Sequence, residues 1–473
     1  MLLTLRLFIA RFLEAPDEKK AFDALVQNAE FWKLYPRRMY EVTFMDLVRN
    51  TAYSCGLGLR GAEDVRAAIA KVWHPPRPDA VIVALSVRTF FDCLLHALRL
   101  PPGSEAILSG ITIPQVITVL DHHKVVSKAF DLNLIDMSCN MAEVRRLVTP
   151  KTRLVIVAPV FGRMLKNMRE LRDLAKESNA LFVIDGAQSF TIRGEFDGLD
   201  ADVETISFGS IKFSTAFGGS ISIIRDPSLS KAVREVEARM PTRPFDTQIK
   251  NVMKYHFMNF VDDPITFGVT NRLLNLGGVH IGELVNVLSR GFIGDDLMKL
   301  LRFRPHVGML ELMHHRVSHV DLDAKRTRCI SAWHFVSQLP SYVQCISAGD
   351  PTEPERSTFW LFALNVRDAT ALFFILQAHG HDAALGTSQL RAAGAPGTTP
   401  ECEAFMQQII YVPMYPQMGD AERATLIALY HAIPRRIVES PSQAFHQHVA
   451  SRKEKHAYRS PQVATLLKGK PAF

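Results

Sequence analysis

A carboxylate, an amide, a hydroxyl and a lysine stand close together in one part of the 473-residue chain: Val183-Ile184-Asp185-Gly186-Ala187-Gln188, then, about twenty residues on, Ile206-Ser207-Phe208-Gly209-Ser210-Ile211-Lys212, then Gly218-Gly219. The first two segments close apolar runs of strand length and Gly218-Gly219 opens another, so the chemical side chains fall at strand ends. In an α/β sheet such ends border the crevice that holds ligands. An acid and an amine converging on one crevice match what pyridoxal phosphate (PLP) demands: a lysine to form a Schiff base, and an acid to keep the pyridine nitrogen protonated so that the ring accepts electrons. Each residue alone has a plainer use, Asp185 as a helix N-cap and Lys212 as a solvated side chain. The combination, with Asp185 as acid and Lys212 as amine, is what points to chemistry.

Alternating strands and helices must position these residues. Short apolar runs at 80–85, 105–109, 127–131, 153–158, 180–184, 204–208 and 219–224 predict seven strands of a sheet covered on both faces. Residues 141–147, 165–177 and 229–240 carry charge on one side and Leu, Met or Val on the other, as surface helices do. After Pro241 the character changes: 250–304 is rich in Phe, Leu, Val, Met and Gly and predicts several short helices joined at Gly277-Gly278 and Gly291. A longer helix from Val317 leads into a second α/β unit, with strands at 358–365 and 408–412 and helices at 368–377 and 421–433. The expected fold class is therefore α/β, a seven-stranded, mostly parallel sheet in a large lobe plus a small α/β lobe. The expected divisions are a mostly helical N-terminal extension (1–78), the large lobe (79–316) with a helical insertion at about 241–304, the small lobe (317–434) and a basic tail (435–473).

Composition bounds the function classes. With 47% apolar and 22% charged residues the chain is an ordinary globular protein. Much of its net charge of +7 sits in the tail, where eight Lys/Arg face only Glu439 and Glu454. A solvated tail is the plain reading, and no nucleic-acid partner is expected. Six cysteines without C-x-x-C spacing signal neither zinc nor a disulfide framework and fit a reducing, cytoplasmic setting. The pairs His122-His123 and His314-His315 point to different helix faces and suit structural roles better than a metal. No metal site is expected. Residues 1–13 are apolar but broken by Arg6 and Arg11, fitting a helix packed on the body or one lying in a membrane interface.

In order and spacing these pieces resemble the DegT/DnrJ/StrS group of sugar aminotransferases, fold-type-I PLP enzymes, from about residue 86 to 433. The resemblance runs through Ser86-Val87-Arg88-Thr89 as a phosphate-binding turn, Ala158-Pro159-Val160-Phe161-Gly162, Asp185 to Gln188, Ser207 to Lys212, and Val412-Pro413-Met414-Tyr415-Pro416 as a late proline-rich turn. It implies PLP as cofactor, held as an imine by Lys212, with Asp185 on the pyridine nitrogen and Gln188 on the ring or its phenolic oxygen. It also implies Ser207 and the amides around Arg88 and Thr89 on the phosphate. Lysine rather than histidine at 212 implies transamination rather than the family's dehydratase branch. Three departures stand out. Ile113 occupies the position of the family's ring-stacking aromatic. Val87 and Arg88 replace small residues in the phosphate turn, with Arg88 either on the phosphate or in solvent. Arg302, in Arg302-Phe303-Arg304, replaces an Asn that crosses to the neighbour's phosphate, so a homodimer with shared active sites is expected through an altered contact; the plain alternative is a basic surface turn.

The expected function is transfer of an amino group from a small amino-acid donor to the keto or aldehyde carbon of a sugar-like acceptor. Two alternatives accompany it. The apolar insertion, whose Phe257, Phe260, Phe267, Leu273, Leu274, Val285, Leu288 and Phe292 either cover a dimer or form an apolar mouth, admits a lipid-linked or amphiphilic carbonyl substrate and peripheral membrane contact. A non-catalytic PLP-binding regulator is the other, and the presence of both Lys212 and Asp185 speaks against it.

Overall fold

The computed structural model describes residues 32–447 apart from 58–59, 75, 190–198, 280, 290, 293, 295, 349–357, 360, 387–389, 416 and 444. The apolar N-terminal segment and most of the basic tail lie outside the described residues.

Among the described residues, helices α1 (Phe44–Ser54) and α2 (Ala62–Trp73) come before the strand β1 (Val81–Ala84). Then follow α3 (Val87–Leu98), β2 (Glu105–Ser109), α4 (Pro114–His122), β3 (Val126–Phe130), α5 (Met141–Leu147), β4 (Thr152–Val157), α6 (Met168–Glu177), β5 (Leu181–Asp185), β6 (Val203–Ser207) and β7 (Ser220–Ile224). The seven strands form one sheet in the order β1-β7-β6-β5-β4-β2-β3, in which β7 alone runs against the rest. All seven runs read from the sequence are in it.

Alternation along the strands sends apolar side chains to both faces. Ile82, Ala84, Ala106 and Leu108 join a core with Phe90, Phe91, Leu94 and Leu95 of α3, while Val81, Val83 and Ile107 join another with Leu171 and Leu174 of α6. The segment Pro114–His122 is a helix despite its β-branched Val116-Ile117-Thr118-Val119 run, because Val116, Val119 and Leu120 bury one stripe against α3 and the sheet. Packing overrides local propensity there.

After α7 (Pro227–Ala238) come α8 (Phe245–Val261), α9 (Pro264–Leu276), α10 (Ile281–Ser289), α11 (Leu297–Leu301) and α12 (Val307–Ser318). Helix α9 ends at Gly277, as the glycine pair predicts. Phe267 does not serve a surface as expected. It is buried with Leu34, Val261 and Ile281.

The second unit comprises α13 (Leu322–Gln338), β8 (Gln344–Cys345), β9 (Ala363–Asn365), α14 (Ala369–Ala378), β10 (Ala384–Leu385), α15 (Pro400–Gln408), β11 (Ile409–Tyr411), α16 (Asp420–Ala432) and α17 (Arg435–Val438). Its antiparallel sheet has the order β10-β11-β9-β8. The start of the expected basic tail is instead packed structure: Ile437, Val438 and Phe445 are buried and Arg435 pairs with Glu439 at 2.6 Å. Apolar side chains in the register of a short helix outweigh the two arginines beside them.

Candidate active site

Because β1, β5 and β6 run in one direction, their carboxyl ends fall at one sheet edge, and the start of antiparallel β7 joins them. Register fixes the neighbours: Asp185 lies opposite Thr205, and Ser207 opposite Ser220. Gly219, at φ +94°, donates its amide to the Leu85 carbonyl at 2.8 Å and so ties the turn before β7 to the end of β1. Ser86 caps α3, its hydroxyl accepting from the Thr89 amide at 3.1 Å, which leaves the helix's first turn facing this edge.

One cavity forms there, with about 880 Å³ of atom-free space including its open mouth. Asp185, Ser207, Lys212, Arg88, Ile113 and the glycine pair 218–219 all line it. Burial pushes the Lys212 amine down to about 7; Asp185 opposes this, and Arg88 and Arg38 reinforce it. Burial likewise raises the Asp185 carboxyl, opposed by the Ala187 amide, which donates to it at 3.1 Å, and by Lys212 and Arg88. The two groups thus feel each other's charge within one desolvating enclosure.

The remaining predicted residues divide. Ser207 keeps its hydroxyl at the cavity and accepts from the Gly209 amide at 3.2 Å. Arg88 is half-buried, not in solvent: its guanidinium bonds Gln115 and lies over the Phe292 ring at 4.8 Å, and desolvation lowers it to about 10 against Asp185. Ile113 lines the cavity, where the resemblance expects an aromatic. Gln188 is buried beside the site, but its Oε1 accepts the Phe161 amide at 3.1 Å. Thr89 is turned inward, its hydroxyl donating to the Leu301 carbonyl at 2.9 Å and its amide spent on Ser86. Arg302 is not at the cavity. It grips Asp92 of α3 at 3.0 and 3.1 Å and touches His122 at 2.9 Å.

Three polar lining residues escaped the sequence reading: Arg243, Asn251 and Tyr255, while Phe292, expected in a dimer cover or an apolar mouth, lines the cavity beside them. All come from the inserted helical stretch. Tyr255 of α8 stacks on Phe217, with ring centroids 4.2 Å apart, and Asn251, one turn earlier, donates to the Phe217 carbonyl at 3.5 Å. The four-residue spacing of Asn251 and Tyr255, which puts both on one face of the helix, was the available signal. Nothing in it points to this cavity rather than another.

The donor set fits PLP. A buried acid and a half-buried amine that desolvation holds near neutrality share a cavity with a capped helix N-terminus and two guanidinium groups, Arg88 and Arg243, which favour a phosphate. Among the described residues no cluster of His, Cys, Asp and Glu is arranged to hold a metal ion.

Residues 85–275 match the model of the DegT/DnrJ/EryC1/StrS aminotransferase family. Among solved structures, the aminotransferase TlmJ from Streptoalloteichus hindustanus has 15% sequence identity and a TM-score of 0.57, with 85% of this chain and 98% of that one covered. Sugar aminotransferase CalS13 from Micromonospora echinospora has 15% identity and a TM-score of 0.57, covering 85% and 100%. DesI, solved in the presence of its TDP-sugar product, has 15% identity and a TM-score of 0.56, covering 90% and 98%. These likenesses establish the shared fold. No curated protein matches the sequence.

Proposed function

From the match of residues 85–275 to the DegT/DnrJ/EryC1/StrS aminotransferase family we propose that the chain moves an amino group from an amino-acid donor to a keto or aldehyde carbon of a sugar-like acceptor. The observation that carries the reading is Asp185 and Lys212 lining one buried cavity at the carboxyl edge of the sheet, with the Lys212 amine held near neutrality. An amine in its neutral form is the nucleophile this reaction needs.

PLP, when bound, supplies an aldehyde carbon and an electron-withdrawing ring. Lys212 Nζ would hold the cofactor and, once the donor's amine had displaced it, would take a proton from the donor's reacting carbon and return it to the neighbouring position. Asp185 holds the proton on the ring nitrogen. The first turn of α3, Ser207 and Arg88 hold the phosphate. Ile113 and Phe292 form apolar walls that exclude water from the proton transfers. Sugar relatives support the acceptor class, and lysine at 212 supports transfer over dehydration.

The test is a visible spectrum of PLP-loaded protein. An amino donor should bleach the bound cofactor's long-wavelength band in wild type and leave Lys212→Ala unchanged. A wild-type protein whose spectrum no amine alters would sink the proposal.

A further inference from the structure

Segment 302–304, from which a phosphate contact to a neighbouring chain is expected, is engaged within its own chain. Arg302 grips Asp92, and Arg304 pairs with Glu63 and, at 3.3 Å, with Glu237. The backbone of Arg304 is used as well: its amide donates to the Pro241 carbonyl at 2.8 Å, and its carbonyl accepts from the Arg243 amide at 2.9 Å. Two short pieces of chain, 302–304 and 241–243, are thereby joined. The second of them carries Arg243 into the cavity that Lys212 and Asp185 line.

The surroundings of Arg243 set it apart from these neighbours. Arg302 and Arg304 hold carboxylates and Arg88 feels Asp185, but no carboxylate among the described residues pairs with the half-buried Arg243. Its charged neighbours are cations. Arg243 presses down the titration of both Lys254 and His306, and only the Tyr255 phenol opposes the desolvation of its own guanidinium. A guanidinium held in a desolvating cavity beside other cations is costly until an anion meets it. PLP brings one strongly anionic group, its phosphate. Asp185 repels that group and draws the ring nitrogen to its own end, whereas Arg243 is not among the groups that Asp185 shapes.

We propose that Arg243 anchors the cofactor's phosphate and is supplied by the same chain that supplies Lys212, so that each chain builds a complete cofactor site. The inference rests on the reading of Lys212 and Asp185 given above. It makes segment 302–304 a positioning element that holds Arg243 by its backbone. Any second copy of the chain is left with a covering role and no contact to the phosphate.

Equilibrium titrations with PLP and with pyridoxal, which lacks the phosphate, test it through the long-wavelength band of the bound cofactor. Arg243→Gln should raise the Kd for PLP about tenfold or more, as loss of a charge-assisted contact does, and leave that for pyridoxal within about twofold. Arg243→Lys should recover part of the PLP affinity, and near-UV circular dichroism checks that both variants fold. An Arg243→Gln protein that binds PLP as wild type does, or that loses PLP and pyridoxal equally, overturns the anchor. Co-expressed Lys212→Ala and Arg243→Gln chains should contain no site of wild-type affinity. Were Arg243 to reach into a neighbour's cavity, paired chains would restore one such site, and a tight-binding fraction in the mixture overturns the same-chain assignment. A wild-type protein that captures no PLP overturns the reading of Lys212 instead.

Discussion

The nitrogen of Lys212 is the group on which the chemistry turns, and its titration is set by enclosure. Burial brings it to about 7, whereas a solvated lysine titrates near 10.4. Capture of PLP by the apoprotein should therefore accelerate with rising pH around a midpoint near 7, as the neutral amine appears, and level off above about 8; stopped-flow absorbance over that range checks it, and a midpoint close to 10 would mean that the amine is solvated. Asp185 acts at the other end of the ring. Asp185→Asn keeps the shape but loses the charge, and a carboxylate beside a ring nitrogen shifts its pKa by about one to three units, so the expected loss in kcat is roughly tenfold to a thousandfold, with Asp185→Glu recovering part of it. Asp185 was legible as the end of an apolar run of strand length, whereas Lys212 sits in the turn beyond β6 and was legible only in combination with it. Arg88 was half legible: its place in the phosphate turn was visible, but its burial depends on Gln115 and Phe292, which come from distant segments. Gln188 and Thr89 show the converse. Their polar atoms are occupied by Phe161, Ser86 and Leu301, partners that no spacing rule reveals.

Strands and helices place those residues through a few backbone-critical points. At Gly219 the backbone is left-handed at φ +94°, and an added Cβ would stand 1.9 Å from Met313 Cε. Gly219→Ala should thus cost about 1–3 kcal/mol, combining backbone strain with displacement of a fully buried methionine, and it should appear as a lower urea midpoint and weaker PLP binding, because the same amide ties β7 to the end of β1. Helix α3 is held at its middle by Asp92, which takes His123 at 2.8 Å and Arg302 at 3.0 Å. Burial would raise this carboxyl, yet His123 and Arg302 hold it down to about 2. A lowered folded-state value means that the stabilisation is present above the unfolded value of about 3.9 and is lost as pH falls through about 2. Arg302→Gln should lower stability at pH 7 by about 1–2 kcal/mol, at the modest end for a charged hydrogen bond because the Arg302 side chain is 41% exposed, and the difference from wild type should shrink below about pH 4. Urea titrations at pH 7 and 3 decide it. PLP affinity should stay within about threefold; a larger loss would restore Arg302 to the cross-subunit phosphate contact that the resemblance implies. The sheet itself was fully readable, since alternation and length define strands buried on both faces. The short strands at 344–345 and 384–385 were not, because two residues carry no period.

At the scale of the whole molecule, the surface poses a question that the cavity answers in part. Helix α8 buries Val252, Tyr255, Met258 and Val261 but leaves Met253, Phe257 and Phe260 exposed along a second stripe, with Phe260 68% open. Phe44, Met45 and Val48 of α1, which packs on α8, and Leu273 and Leu276 of α9 are exposed as well. A helix that is apolar on two faces is built to be covered twice, and an uncovered apolar patch on a soluble body is a contact surface. Tyr255 and Asn251 on the same helix line the PLP cavity, so whatever covers the outer stripe also steadies the site. We propose that a second copy of the chain covers it. No helix among the described residues is long and apolar enough to cross a membrane, which leaves surface contact with lipid as the rival occupant. The double change Phe257→Glu, Phe260→Glu touches only exposed side chains and should leave the thermal midpoint nearly unchanged. It should convert a dimer to a monomer in sedimentation velocity and reduce amino transfer at least tenfold as α8 loses its cover. A wild-type protein that sediments as a monomer at micromolar concentration, and floats with anionic vesicles only while both phenylalanines are present, would instead assign this face to a membrane surface and bring the amphiphilic acceptor back to the front.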